Sequence, residues 1–379
     1  MFPDNRPDSE LDGPFARSPL QHAENDIAVG SSRFLVGASS WSDRSLTHDS
    51  SWYPKKSMRA AERIAYYTAR LPLVEIDSTL RFPPTPDVAR QWAERTPPGF
   101  TIDVQAWSLL TGAATLPDSL WEDMREEVKP ELRDRRRLYA GHLTAAGMAE
   151  AWARFAHALR PLAAAGRLGV VLLRYPHWLK PGNTGRSLLA AARASLPDYR
   201  LAVEFQHPDW LAGDGCEETL ALLDDLGLGF VCVDGSPDSL LPGPVLATSS
   251  DVAVVRLYGP HRVSVGGAAW AGDASPPPPA SRSASSPSAP ALSSPASSPS
   301  APDAEPSSPA SSPSAPDADV RVWGARYTPD ELAPWVPRIL RLAESASEVH
   351  VLFANTVRDH AVVNAEELLT ALRDATGSG

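Results

Sequence analysis

Glu204 and Asp234 stand at the ends of two short apolar runs, Leu201–Phe205 and Gly229–Val233. Carboxylates on neighbouring elements can settle at different pKa values, so that one gives a proton and the other takes it. Glu75, in the run Leu73–Ile76, adds a third acid, and three carboxylates can also hold a divalent cation. A blander arrangement has Arg256 neutralising one carboxylate and a backbone N–H satisfying the other. Arg174 and Arg256 offer positive charge for an anionic group. Asp77, Gln105, Gln206, Tyr258 and Asn355 offer polar contacts at further run ends. His207, just before Pro208, is either a base or a ring packed at the start of a loop, and His177 and His261 carry the same ambiguity. Trp41, Trp107, Trp178 and Trp210 can stack on a planar ligand or simply plug a mouth. The chain has no H-E-x-x-H or comparable metal spacing. No cofactor is therefore expected, with a divalent metal at the carboxylates as the minor alternative.

These residues need elements to position them. Eight runs rich in Val, Ile, Leu and Phe occur at Phe34–Gly37, Leu73–Ile76, Phe100–Val104, Gly169–Leu173, Leu201–Phe205, Gly229–Val233, Val252–Leu257 and Val349–Phe353. Continuous apolar runs suit parallel strands buried on both faces. Helical stretches follow most of them: Ala60–Arg70, Thr85–Arg95, Met148–Ala165, Thr184–Ser195, Glu217–Leu226, Pro329–Ser345 and Ala361–Ala375. Gly235–Ser250 after the sixth run holds prolines and glycines and no helical pattern. The alternation predicts an α/β fold, a single (β/α)₈ TIM-type barrel with one degenerate crossover. An open doubly wound sheet is less suitable, because no G-x-G-x-x-G loop follows the first strand. In a (β/α)₈ barrel the chemistry gathers where the strands' C-terminal ends converge, and nearly every run here closes on a polar residue.

Several segments resemble the YecE-like family, domain of unknown function 72. They include Phe34–Trp41, Trp52-Tyr53-Pro54, Ala65-Tyr66-Tyr67, Val74–Thr79, Trp92–Phe100, Val203-Glu204-Phe205, His207-Pro208, Val231–Asp234 and Val255-Arg256-Leu257. Phe353 with Asn355, before Asn364-Ala365, completes the series. The resemblance implies a TIM-barrel-like fold and supplies no reaction. It also marks departures. The family usually has Lys at Gln105, Gln at Arg174, Arg at Gln206, His at Tyr258, and paired Asn at Ala354-Asn355. A lysine and a histidine suited to proton transfer are thus missing. The Arg174 and Gln206 changes look like an exchange across neighbouring strands, which places Arg174 within reach of Glu204 or Gln206.

Composition limits the rest. The chain has 379 residues, a formal net charge of −11 and 38 prolines. Residues 1–32 read as a disordered tail, and 271–319 as a disordered Pro/Ser/Ala insertion within a barrel spanning 33–375. The net acidity argues against nucleic acid as a partner. Cys216 and Cys232 lack metal or framework spacing, which suits a reducing cytoplasm. No apolar run is long enough to span a membrane. Arg133, Arg135, Arg136 and Arg137 read as a solvated helical face, with phosphate binding as the alternative. The expected function is an enzyme, or the descendant of one, acting by acid/base chemistry on a small polar or anionic ligand at the rim. Hydrolysis or isomerisation is the least committal reaction. The alternatives are a non-catalytic ligand-binding or regulatory barrel, and a nuclease-like hydrolase. The oligomeric state is left open.

Overall fold

The computed structural model describes residues 27–235, 245–265 and 320–377. The chain divides into two compact units, one of 1–263 with 323–379 and the other of 264–322. The smaller is described only at its ends, which belong to the short strands Arg262–Val265 and Val320–Trp323. The expected insertion at 271–319 lies outside the described residues, as does 1–26 of the expected tail. The tail boundary itself is corrected. Ile27–Val29 is a strand, paired antiparallel with Ser32–Phe34, and Ile27 is fully buried.

The larger unit is the expected barrel. Its strands are β1 (Ser32–Ser39), β2 (Leu73–Ile76), β3 (Thr101–Gln105), β4 (Leu168–Tyr175), β5 (Leu201–Phe205), β6 (Gly229–Val233), β7 (Val252–Leu257) and β8 (Glu348–Phe353). Each pairs in parallel with the next, and β8 pairs with β1 to close the sheet. The crossover helices are α1 (Ala60–Thr68), α2 (Pro86–Arg95), α3 (Ala145–Ala164), α4 (Asn183–Ser195), α5 (Gly215–Asp225), α6 (Trp335–Leu342) and α7 (His360–Thr376). Between β6 and β7 no helix occurs among the described residues. The single helix expected over Pro329–Ser345 is two: Pro329–Leu332, then α6. Pro334 lies between them and has no N–H to continue the first helix. The arginine run is not helical either. It follows a 3₁₀ turn at Pro130–Leu132, and Arg133 donates to the carbonyls of Val128 and Glu126.

Two apolar layers hold the barrel. Outward strand residues such as Phe34, Val36, Val74, Ile102 and Val203 pack with the helices. Inward residues Leu35, Leu73, Val170, Leu172, Ala202, Val231, Val254 and Leu352 fill the middle of the axis. Closure brings β1 and β2 together over three aligned residue pairs. There the Tyr67 hydroxyl accepts from Ala38 N at 2.9 Å and donates to Leu73 O at 2.9 Å, supplying an extra rung from α1. A Cβ at Gly37 would meet Leu73 O at 1.9 Å. Gly37→Ala is therefore expected to cost about 1–3 kcal/mol by forcing the two strands apart. An unchanged urea midpoint in this variant would contradict such close strand contact.

Candidate functional site

Side chains alternate across a strand, so residues two apart share a face. Inward Leu73 is followed by Glu75 and Asp77, inward Ala202 by Glu204 and Gln206, and inward Val254 by Arg256 and Tyr258. Leu172 leads to Arg174 in the same way, and Asp103 to Gln105. The alternation carries all eight polar residues toward the axis at the C-terminal end.

Arg256 is the hub of this cluster. Its Nε and Nη2 donate to the two oxygens of Glu75, both at 2.9 Å. Its Nη1 donates to Glu204 Oε2 and to the Tyr258 hydroxyl. Tyr258 in turn donates to Glu204 Oε1 at 2.6 Å. Ser39 Oγ and Gln105 Nε2 also donate to Glu75. Arg174 Nε lies 3.3 Å from Glu204 Oε1. The Gln206 amide oxygen accepts from Arg174, so Arg174 reaches Gln206 as well as Glu204, where one of the two was expected. Burial opposes the charge on Glu204, but Arg256 and Arg174 hold its pKa below the usual range. Burial likewise opposes the Arg256 charge, and Glu75, Tyr258 and Glu204 overcome it.

Asp77 differs. Burial and the nearby Glu75 and Asp43 charges raise its pKa to about 6, against a smaller pull from Arg256. Its carboxylate has no hydrogen-bonding side chain among the described residues. Gln105 Oε1 and Trp107 Nε1 are buried without a hydrogen-bond partner.

Other candidates lie elsewhere. Asp234 and Asn355 follow Val233 and Ala354, so their alternation points them outward. Asp234 Oδ2 accepts from Tyr258 N at 2.9 Å, from Gly259 N at 3.1 Å and from the Tyr327 hydroxyl. Burial still raises its pKa. No hydrogen bond or ion pair joins Asp234 to Glu204 among the described residues, and the paired-carboxylate arrangement is corrected accordingly. Asn355 Nδ2 donates to Ala325 O and to Asn364 Oδ1, both at 3.0 Å. His207 Nδ1 accepts from Asp209 N at 3.1 Å and caps the turn Pro208–Leu211. Trp41 follows Ser40, whose φ of 68° turns the chain outward, and it packs on Tyr67 and Phe100. Trp107 packs on Trp121, and Trp210 stacks on Phe205. Only Trp178 of the four tryptophans is exposed. No three-ligand metal cluster occurs among the described residues. A cleft of about 400 Å³ lined by Pro86, Trp121, Arg154 and His157 lies beside α2 and α3, away from this ring.

A second ionic group went unnoticed in the sequence. His350 Nδ1 lies 2.8 Å from Asp103 Oδ2, and Nε2 lies 2.6 Å from Glu348 Oε1. Asp103 also accepts from Val170 N at 2.8 Å. This triad sits below the apolar layer, toward the strands' N-terminal ends. Its signal was available: Asp103 and His350 interrupt otherwise apolar strands.

A family profile described as "Protein of unknown function DUF72" matches residues 35–378. The chain belongs to the DUF72 family. The DUF72 chain is 22% identical to the UPF0759 protein YunF of Bacillus subtilis over 229 residues, 60% of this chain and 70% of that one. Among solved structures it resembles the DUF72 protein EF0366 of Enterococcus faecalis. The TM-score is 0.59 at 17% identity, covering 90% of this chain and 95% of that chain. It also resembles TM1631 of Thermotoga maritima, with a TM-score of 0.57 at 20% identity, covering 90% and 99%. These likenesses show a shared barrel. No helix of the DUF72 protein, among the described residues, is long and apolar enough to cross a membrane.

Proposed function

We propose that this protein is an acid/base enzyme acting on a small polar ligand at the C-terminal mouth of the barrel, with Asp77 moving the proton. The supporting observation is Asp77 itself, inward-facing, without a hydrogen-bonding side chain among the described residues and with a pKa raised to about 6. A group that titrates near the working pH can both give and take a proton. Glu75 and Glu204 are less suited, since each is held by Arg256. They fix the arginine and shape the floor of the mouth. The free cysteines Cys216 and Cys232 agree with a reducing cytoplasm as its location.

Infrared titration of the carboxyl stretch, comparing the protein with Asp77→Asn, tests this reading. A band titrating near pH 6 that vanishes in the variant is expected; an Asp77 that titrates near pH 4 overturns it. Stability gives a second readout. The folded pKa of Asp77 is raised, so its contribution is fully present below about pH 4 and is lost as the pH rises through 6. Asp77→Asn escapes that loss. It is expected to be more stable than the parent at pH 8 by on the order of 2 kcal/mol.

The saturation of Glu75 and Glu204 by Arg256 favours a second reading, a binding barrel without turnover. A ligand recovered chemically unchanged after long incubation would support it.

A further inference from the structure

We infer that the mouth binds a small hydroxycarboxylate, its carboxylate on Arg174 and its hydroxyl toward Gln105 and Asp77. This rests on the mouth being the ligand site. The unused hydrogen-bonding groups there are segregated. On β4, Arg174 is one-quarter exposed, and its Nη1 has no partner among the described residues. On the β2 and β3 side stand the Asp77 carboxylate, which no side chain among the described residues hydrogen-bonds, and the buried Gln105 Oε1, which has no partner among them. Gln105 is 2% exposed, and its amide nitrogen is already committed to Glu75, which fixes the oxygen as the end left for a ligand. A complementary molecule presents an acceptor to one side and a donor to the other. Neighbouring strands are ~4.8 Å apart, so the two poles lie ~5–10 Å from each other, the length of a short substituted acid.

The charge count selects a carboxylate over a phosphate. Arg256 is saturated by Glu75, Glu204 and Tyr258, and Arg174 is already shared with Glu204. Two arginines against two glutamates leave no net positive charge in the mouth, so a dianion is opposed more strongly than a monoanion held on Arg174. Barrels of this type commonly seat phosphate on backbone N–H groups in the loops after strands seven and eight. Here the N–H groups of Tyr258 and Gly259, just past β7, are taken by the Asp234 carboxylate. The protein's own acid fills that cradle.

Calorimetric titration of the full-length protein with glycerate, propionate, glycerol and 3-phosphoglycerate tests the assignment. Glycerate is expected to bind at least about tenfold more tightly than each of the others. Arg174→Met should weaken glycerate about tenfold or more, and Gln105→Met should narrow the preference for glycerate over propionate. Thermal melts of both variants show that they remain folded. Equal binding of propionate and glycerate, tighter binding of 3-phosphoglycerate, or no binding of any acid overturns the ligand class. The infrared titration of Asp77 is independent of these ligands, so its outcome separates failure of the class from failure of the proton-transfer reading.

Discussion

Replacing Arg256 by methionine is expected to destabilise the barrel by about 3–5 kcal/mol near neutral pH, because two buried carboxylates lose their shared counter-charge. Glu75 and Glu204 are 0% and 1% exposed, so water cannot take the place of the guanidinium. Ser39 and Gln105 still donate to Glu75, and Tyr258 and Arg174 still face Glu204, which keeps the loss finite. Arg256→Lys is not conservative here. An ammonium cannot present a planar fork to Glu75 and reach Glu204 at once. The effect should fade in acid. The folded pKa of Glu204 is lowered, so its contribution is present above the usual carboxylate range and is lost as the pH falls through the folded value. Adding Glu75→Gln to Arg256→Met removes one stranded charge, and a coupling of more than about 1 kcal/mol is expected between the two sites. Urea unfolding of the four proteins at pH 7.5 and pH 3 measures this. A loss under about 1 kcal/mol at pH 7.5 would refute the hub role.

His350→Phe should remove a pH dependence from the folded state along with about 3 kcal/mol of stability. Burial opposes the imidazolium, but Asp103 and Glu348 overcome it and raise the His350 pKa to about 9. The stabilisation is fully present below about pH 6.5 and is lost as the pH rises through 9, a span equivalent to about 3 kcal/mol. Glu348 responds in the opposite direction. Burial opposes its charge, yet His350 lowers its pKa to about 2, so its contribution holds above pH 4.5 and is lost as the pH falls through 2. The parent should therefore weaken between pH 7 and pH 9, and the variant should not. In the variant Asp103 keeps its bond from Val170 N, while Glu348 lies at the barrel end and keeps Arg200 at 3.5 Å. Parallel slopes in chemical denaturation from pH 7 to pH 9.5 would show that His350 is not charged in the folded protein.

How much of this was legible in the residues differs from element to element. The eight strands were, because uninterrupted runs such as Gly169–Leu173 and Val252–Leu257 suit only elements buried on both faces. Most helices were legible too, with Thr85-Pro86 and Thr328-Pro329 marking starts that the structure caps as expected. The helix over Pro329–Ser345 and the helical arginine face were not, since local proline chemistry and the 3₁₀ turns of the third crossover override periodicity there.

The polar ring was half visible. Its members could be named from the strand ends, and the pairs Glu75/Asp77, Glu204/Gln206 and Arg256/Tyr258 even display the two-residue spacing of one strand face. Which face meets the axis could not be read, because strands apolar on both sides carry no inside–outside pattern. Asp234 and Glu204 look equivalent along the chain, each beside an apolar run and an aromatic or aliphatic neighbour. One residue of register separates them. Closing β8 onto β1 turned Glu204 toward Arg256 and sent Asp234 to the backbone of Tyr258 and Gly259. The same closure left Asp77 beside two other acids, with no side-chain hydrogen bond among the described residues. The residue types at the rim belong to the sequence. Their division into satisfied ion pairs, structural caps and one acid without a side-chain partner among the described residues belongs to the barrel.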